Sequence, residues 1–145
     1  MSALTNNIVL DSNVIVSAIL KPNSISSNAL DIAIENFNIV ASRESLDELL
    51  EVLKRPKFDK YLSHDDRIED LRDYINITKK IPVRLEVFDC KDPKDNKFLA
   101  LAREANAVLI VSGDRQDLLS MNPYHGIKII GVREFIETYQ QYAAL

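Results

Sequence analysis

The chain has 145 residues, with 22 acidic against 18 basic for a formal net charge of -4, and it contains one cysteine, three glycines and no tryptophan. That length predicts one ordinary domain over 1–145 with a core of its own. A lone Cys90 excludes an internal disulfide, no apolar run approaches the roughly 20 residues that span a bilayer, and the modest acidity excludes an overall electrostatic pull toward nucleic acid.

Met1 to Asn7 is polar and lacks a basic stretch, which predicts no signal peptide and a cytoplasmic address. Ile8-Val9-Leu10 then predicts a buried central strand, and it runs directly into Asp11-Ser12-Asn13 and a helix over 13–20. A carboxylate therefore stands where a buried strand hands over to a buried helix, at the strand end where ligands of open parallel sheets collect. Further along, the pattern predicts a helix over 26–35 capped by Ser24 or Ser26, a strand over 37–41, and a helix over 44–55 started by Ser42. Pro56 ends that helix, because proline removes a backbone donor and clashes with the preceding turn. From 56 to 80 the sequence predicts a mostly helical insertion beside the sheet, with a helix over 65–79 after Ser63 and its partner Asp66. A weaker strand over 82–88, a helix over 94–105, a strand over 108–111, a short turn over 116–119, a strand over 127–130 and a helix over 133–142 complete the chain. Alternating strands and helices imply right-handed crossovers, so the predicted fold is a three-layer α/β/α sandwich around a parallel sheet of about five strands.

The acidic residues recur at the ends of these elements. Val108-Leu109-Ile110-Val111 is followed by Ser112-Gly113-Asp114, a second delivery of an aspartate to a strand end. In Asp92-Pro93-Lys94-Asp95, the first aspartate suits an N-cap and proline suits the first helical position. Asp95 projects on the side of Phe98, Leu99 and Ala102, the face that packs toward the sheet, and a carboxylate there needs a partner. Taken singly, Asp11, Asp95 and Asp114 each read equally well as caps or turn formers. Adjacent strand ends lie roughly 5 Å apart, and carboxylates so gathered repel one another unless a cation is present. An all-oxygen acidic set favours Mg²⁺ or Mn²⁺ over zinc. His64 and His125 lie far apart in polar segments and share no metal-ligand spacing, and the chain has no glycine-rich phosphate loop to hold a nucleotide cofactor.

Four segments in order, Leu10-Asp11-Ser12-Asn13-Val14, Ser45-Leu46-Asp47-Glu48-Leu49, Asp92-Pro93-Lys94-Asp95-Asn96-Lys97-Phe98-Leu99-Ala100-Leu101-Ala102 and Val111-Ser112-Gly113-Asp114, resemble the motifs of PIN-domain nucleases. The likeness is to the toxin-component, VapC-like branch of toxin–antitoxin systems, and it extends to Leu53-Lys54-Arg55-Pro56-Lys57-Phe58, Asp117-Leu118-Leu119 and Ile129-Ile130-Gly131-Val132-Arg133-Glu134-Phe135. The resemblance implies a Mg²⁺- or Mn²⁺-dependent endoribonuclease, a hydrolase that cuts single-stranded RNA by water attack on a phosphodiester. Asp11, Glu48, Asp95 and Asp114 match its four acidic catalytic and metal positions, and Asn13 and Ser112 match its supporting polar positions. Serine stands at 12 and 112 where threonine is commoner.

Glu48 lies away from the stripe formed by Leu46, Leu49, Leu50 and Leu53, with Asp47 nearer its edge, so the sequence leaves open which of the two faces the site. Lys21, Lys54, Arg55, Lys57 and Arg115 are candidate contacts to the RNA backbone, since local basic groups neutralise phosphates even on an acidic protein. The resemblance also implies a small antitoxin that blocks the groove, by an arginine or lysine set among the four acids, and a homodimer. For the dimer the insertion supplies Phe58, Tyr61, Leu62, Ile68, Leu71 and Ile75. Two other readings stay open. One is a catalytically silent module that binds RNA or protein through the same groove. The other is an aspartyl phosphatase, although Asn13 stands where that chemistry wants a second acid.

Overall fold

The computed structural model describes residues 6–113 and 115–143. Five strands pair in parallel: β1 (Asn7–Leu10), β2 (Asn38–Ala41), β3 (Lys79–Lys80), β4 (Leu109–Ser112) and β5 (Lys128–Gly131), in the spatial order β3-β2-β1-β4-β5. The helices are α1 (Ser12–Leu20), α2 (Ile25–Asn36), α3 (Arg43–Leu53), α4 (His64–Ile77), α5 (Asn96–Glu104), α6 (Gln116–Leu119) and α7 (Val132–Thr138).

Side chains along a strand point alternately to its two faces, so the unbroken apolar runs Ile8-Val9-Leu10, Ile39-Val40-Ala41, Leu109-Ile110-Val111 and Ile129-Ile130 supply both faces of the sheet at once. Ile8, Leu10, Ile39, Leu109, Val111 and Ile130 enter one core, shared with α1, α2, α3, α4 and α7. Val9, Val40, Ile110 and Ile129 enter the other, shared with α5 and α6. The sheet is thus covered on both faces, as predicted. Because β1 connects to β2 on one side and pairs with β4 on the other, its carboxyl end lies at the point where strand order reverses. That crevice is where open α/β sheets bind ligands.

Local chemistry sets the helix starts. Ser24 accepts from the Ser27 N–H at 3.2 Å, Ser63 from the Asp66 N–H at 3.2 Å, and Ser42 and Ser45 cap one another reciprocally at the start of α3. The helix expected over 94–105 divides into a 3₁₀ turn at Pro93–Asp95 and α5, and the one expected over 133–142 ends at Thr138 with a 3₁₀ turn at Tyr139–Gln141.

One expectation is corrected. The third strand of the sheet is Lys79–Lys80, inside the stretch read as an insertion, and 82–88 forms no ladder. Its alternation is genuine, because Val83, Leu85 and Val87 are covered while Pro82, Arg84, Glu86 and Phe88 are exposed. Its backbone bonds go elsewhere: Ile81 N–H reaches Ala41 C=O at 2.9 Å, Pro82 has no N–H to give, and the N–H groups of Arg84 and Leu85 donate to the Glu104 carboxylate at 2.8 and 3.2 Å.

Arg67 is fully buried and organises the connection after α3. Its guanidinium donates to the carbonyls of Leu53 at 2.7 Å, of Arg55 at 3.5 Å and of Leu62, and pairs with Asp59 at 3.0 Å. Pro56–Phe58 forms a 3₁₀ turn in that connection. Of the apolar residues expected to serve a dimer, Leu71 is buried in the core and Phe58, Leu62 and Ile75 pack against it, whereas Tyr61 stays 48% exposed.

Candidate active site

Asp11 follows β1 directly and caps α1, its Oδ1 accepting from the Val14 N–H at 3.2 Å. The cap is also a junction. Ser112 Oγ, at the end of the adjacent β4, donates to Asp11 Oδ2 at 2.6 Å, and the Gly113 N–H lies 3.1 Å from the same oxygen. Asp11 is 0% exposed, and burial pushes its carboxyl pKa up in spite of Ser112, Arg115 and the two amides, which act to lower it. Gly113 is required by close approach: a Cβ there would lie 3.0 Å from Asn13 Cβ and 3.2 Å from the Val14 nitrogen. Asn13 seals the same contact, its Nδ2 donating to Gly113 C=O at 3.0 Å.

Asp95 ends the turn before α5 and is 2% exposed. Asp92 caps that turn by accepting from the Lys94 N–H at 3.0 Å, so capping accounts for Asp92 and leaves Asp95 to look inward. Glu48 reaches the cluster from α3. Asp47 and Glu48 both line the cleft, but the Glu48 side chain is 18% exposed and bonded to Lys97 and Arg115, whereas Asp47 is 72% exposed and pairs with Arg43 at 3.9 Å. The buried line of α3 is Ser45, Leu49 and Leu53, a rotation from the leucine stripe that brings Glu48 to the cleft. Burial acts to raise the Glu48 pKa, but Lys97, Ser12 and Arg115 outweigh it and the net shift is downward.

Arg115 joins the three acids. Its Nη1 lies 2.5 Å from Asp95 Oδ1, its Nη2 3.0 Å from Glu48 Oε1, and its Nε 3.6 Å from Asp11 Oδ2. Lys97 Nζ takes the other Glu48 oxygen at 2.7 Å. Burial acts to lower the Arg115 pKa, and the bonds and charges of Asp95, Asp11 and Glu48 raise it overall. Asp114, expected to complete the set, lies outside the described residues. An open cleft passes the cluster, with Arg55, Lys57, Phe58 and Lys94 on its walls. Among the candidate RNA contacts, Arg55, Lys57 and Arg115 line this cleft; Lys54 lines a neighbouring surface with Asp47 and Pro56, and Lys21 stacks 5.8 Å from the Tyr61 ring centroid.

Sequence reading gave no role to Lys97 or Ser12, although both stand inside the motif segments. A lysine two residues after an inward-facing aspartate was the available signal for Lys97.

A family model described as PIN domain matches residues 7–116. The chain belongs to the PIN-domain family. Over 152 residues, 98% of this chain and 97% of the relative, it is 32% identical to the uncharacterized protein MJ1680 of Methanocaldococcus jannaschii. The PIN fold is shared with PAE2754 of Pyrobaculum aerophilum at a TM-score of 0.62 and 14% identity, covering 95% of this chain and 91% of that one. It is shared too with VapBC2 of Rickettsia felis, solved bound to a DNA fragment from its promoter, at a TM-score of 0.59 and 17% identity over 86% of this chain and 98% of that one. VapC20 of Mycobacterium tuberculosis, a toxin that cleaves the sarcin-ricin loop, matches at a TM-score of 0.53 and 10% identity over 83% and 98%. Among the described residues, no helix of this PIN protein is long and apolar enough to cross a membrane.

Proposed function

We propose that this PIN protein is a divalent-metal-dependent endoribonuclease acting on single-stranded RNA, and the toxin of a toxin–antitoxin pair. The single observation that carries the reading is the convergence of Asp11, Glu48 and Asp95, from three separate elements, on one cation at the carboxyl ends of β1 and β4. Folding brings buried carboxylates together at a cost, and a site that does so is built for positive charge.

The donor set fits Mg²⁺ or Mn²⁺. Its oxygens are hard, it contains no sulfur or imidazole, and the cation now among the acids is the guanidinium of Arg115. Among the described residues no three acidic, histidine or cysteine side chains are disposed to hold an ion directly. As they stand around Arg115 the acids are not in holding positions, and Asp11, Glu48 and Asp95 would hold the metal only after rearranging about it, with Asp114 as the fourth acid of the motif. When bound, such an ion supplies a hydroxide-like water and neutralises charge on the scissile phosphate. The protein orients the acids. Ser112 and the Gly113 N–H fix both Asp11 oxygens, Lys97 fixes Glu48, and the walls bearing Arg55, Lys57 and Lys94 offer cations to phosphates on either side of the cut.

The same reading includes an antitoxin over the cleft and a homodimer. Ile25, Ile34, Tyr61 and Ile77, 45–49% exposed, and Phe88, 80% exposed, are apolar side chains available for association, and sedimentation at micromolar concentration should find a species above 16.5 kDa.

The test is cleavage of a labelled single-stranded RNA with Mn²⁺ or Mg²⁺ by wild type and Asp11→Asn. Wild type should cut only with metal, and the variant should lose roughly 100-fold or more in rate while keeping its circular dichroism. Binding without cleavage by wild type under every metal condition would favour the silent RNA-binding module instead.

A further inference from the structure

Arg115 occupies the one place common to Asp11, Glu48 and Asp95. It arrives from the loop after β4, and its three nitrogens address acids carried by the end of β1, by α3 and by the turn before α5. It is packed there: the side chain is 16% exposed, and the guanidinium carbon lies 5.1 Å from the Phe98 ring centroid. Lys97, the other cation at the site, bonds the outer oxygen of Glu48 and the Lys94 carbonyl.

We infer that Arg115 is an internal counter-cation that competes with the divalent ion for Asp11, Glu48 and Asp95, so that metal loading requires its side chain to leave. This rests on the metal-dependent reading above. Two facts support the competition. The oxygens nearest the guanidinium are those an ion at the centre of the cluster would need, and two cations in a partly desolvated site repel strongly. Departure is also permitted by the local structure. Arg115 lines an open cleft that continues past Gln116 and Asp117, which gives its long side chain room to swing out. Arg115 stands where the resemblance leads one to expect a partner protein's arginine or lysine to sit.

The test is Mn²⁺ titration of the full chain by calorimetry, for wild type, Arg115→Ala and Arg115→Gln, with melting temperature followed in EDTA and in Mn²⁺. Arg115→Ala should bind Mn²⁺ roughly tenfold more tightly than wild type, the size of an ordinary coupling between competing ligands. Its melting temperature should fall in EDTA, where the acids lose their counter-charge, and recover with Mn²⁺ more than wild type gains. Arg115→Gln, which keeps a side chain over Phe98, should show the same tighter binding even if the alanine variant fails to fold. Equal or weaker Mn²⁺ affinity in the folded variants overturns the inference and leaves the nuclease reading intact. Absence of Mn²⁺ binding by wild type and variants alike overturns both.

Discussion

At the residue scale, Asp11 shows how a single carboxylate can serve a fold and a site at once. It caps α1, ties the ends of β1 and β4 together, and still offers Oδ2 toward Arg115. The bond from Ser112 is the most exposed to test, since it is short, buried and made to a charged acceptor. Ser112→Ala should destabilise the metal-free protein by about 1.5 to 3 kcal/mol, the usual worth of a hydrogen bond to a buried charge, as read from denaturant midpoints. A loss under 0.5 kcal/mol would mean that Gly113 and Val14 alone satisfy Asp11. Asp11 and Asp95 were legible in the sequence only as members of a set, since each alone also reads as a cap or turn former and it is their recurrence at element ends, within ordered motifs, that singles them out. Arg115 was legible only as a basic residue near the site. Which acids it meets depends on α3 and the turn before α5, elements distant in sequence whose placement no local pattern encodes.

At the scale of elements, the sequence located the helices to within about two residues at each end, the ordinary scatter of helix ends, except that the last stops at Thr138, four residues before the expected 142, and it located four of the five strands. The fifth was misplaced for a physical reason. Alternation at 82–88 reports a half-covered segment but says nothing about which backbone groups it meets, and here Glu104 captures two of its N–H groups in place of a neighbouring strand. Glu48 was ambiguous for a related cause, because the buried line of α3 runs through Ser45, Leu49 and Leu53, and the leucine stripe alone does not show that a serine belongs to it. The Glu104 anchor predicts a pH dependence. Its amide partners Arg84 and Leu85 hold the carboxyl below its ordinary value of 4.5, so the ionised form is favoured in the folded state. The anchor is therefore fully present above pH 4.5 and is lost as pH falls through the lower folded value. The Arg84 and Leu85 amide resonances should titrate together below pH 4.5, and Glu104→Ala should abolish that step. Titration of those amides at or above the ordinary carboxyl value would show that the contact does not persist in solution.

At the scale of the whole molecule, a net charge of -4 means that RNA is repelled at long range and held, if at all, by a few cations inside one cleft. Lys97 is engaged with Glu48 and Arg115 with three acids, which leaves Arg55, Lys57 and Lys94 as the wall cations for phosphates. Arg55 lies 4.0 Å from Glu51 in an exposed pair and Lys57 rests 5.1 Å from the Phe58 ring centroid, contacts weak enough to yield to a phosphate. Binding of single-stranded RNA releases counterions in proportion to the phosphates neutralised, so three such contacts predict a slope of log affinity against log salt of about -2. The measurement is fluorescence anisotropy of a labelled RNA on the non-cleaving Asp11→Asn protein across a salt series. Arg55→Ala with Lys57→Ala should make that slope shallower by about 1.4, because two of three contacts are gone. A slope unchanged by the double substitution would move the RNA path off this wall of the cleft.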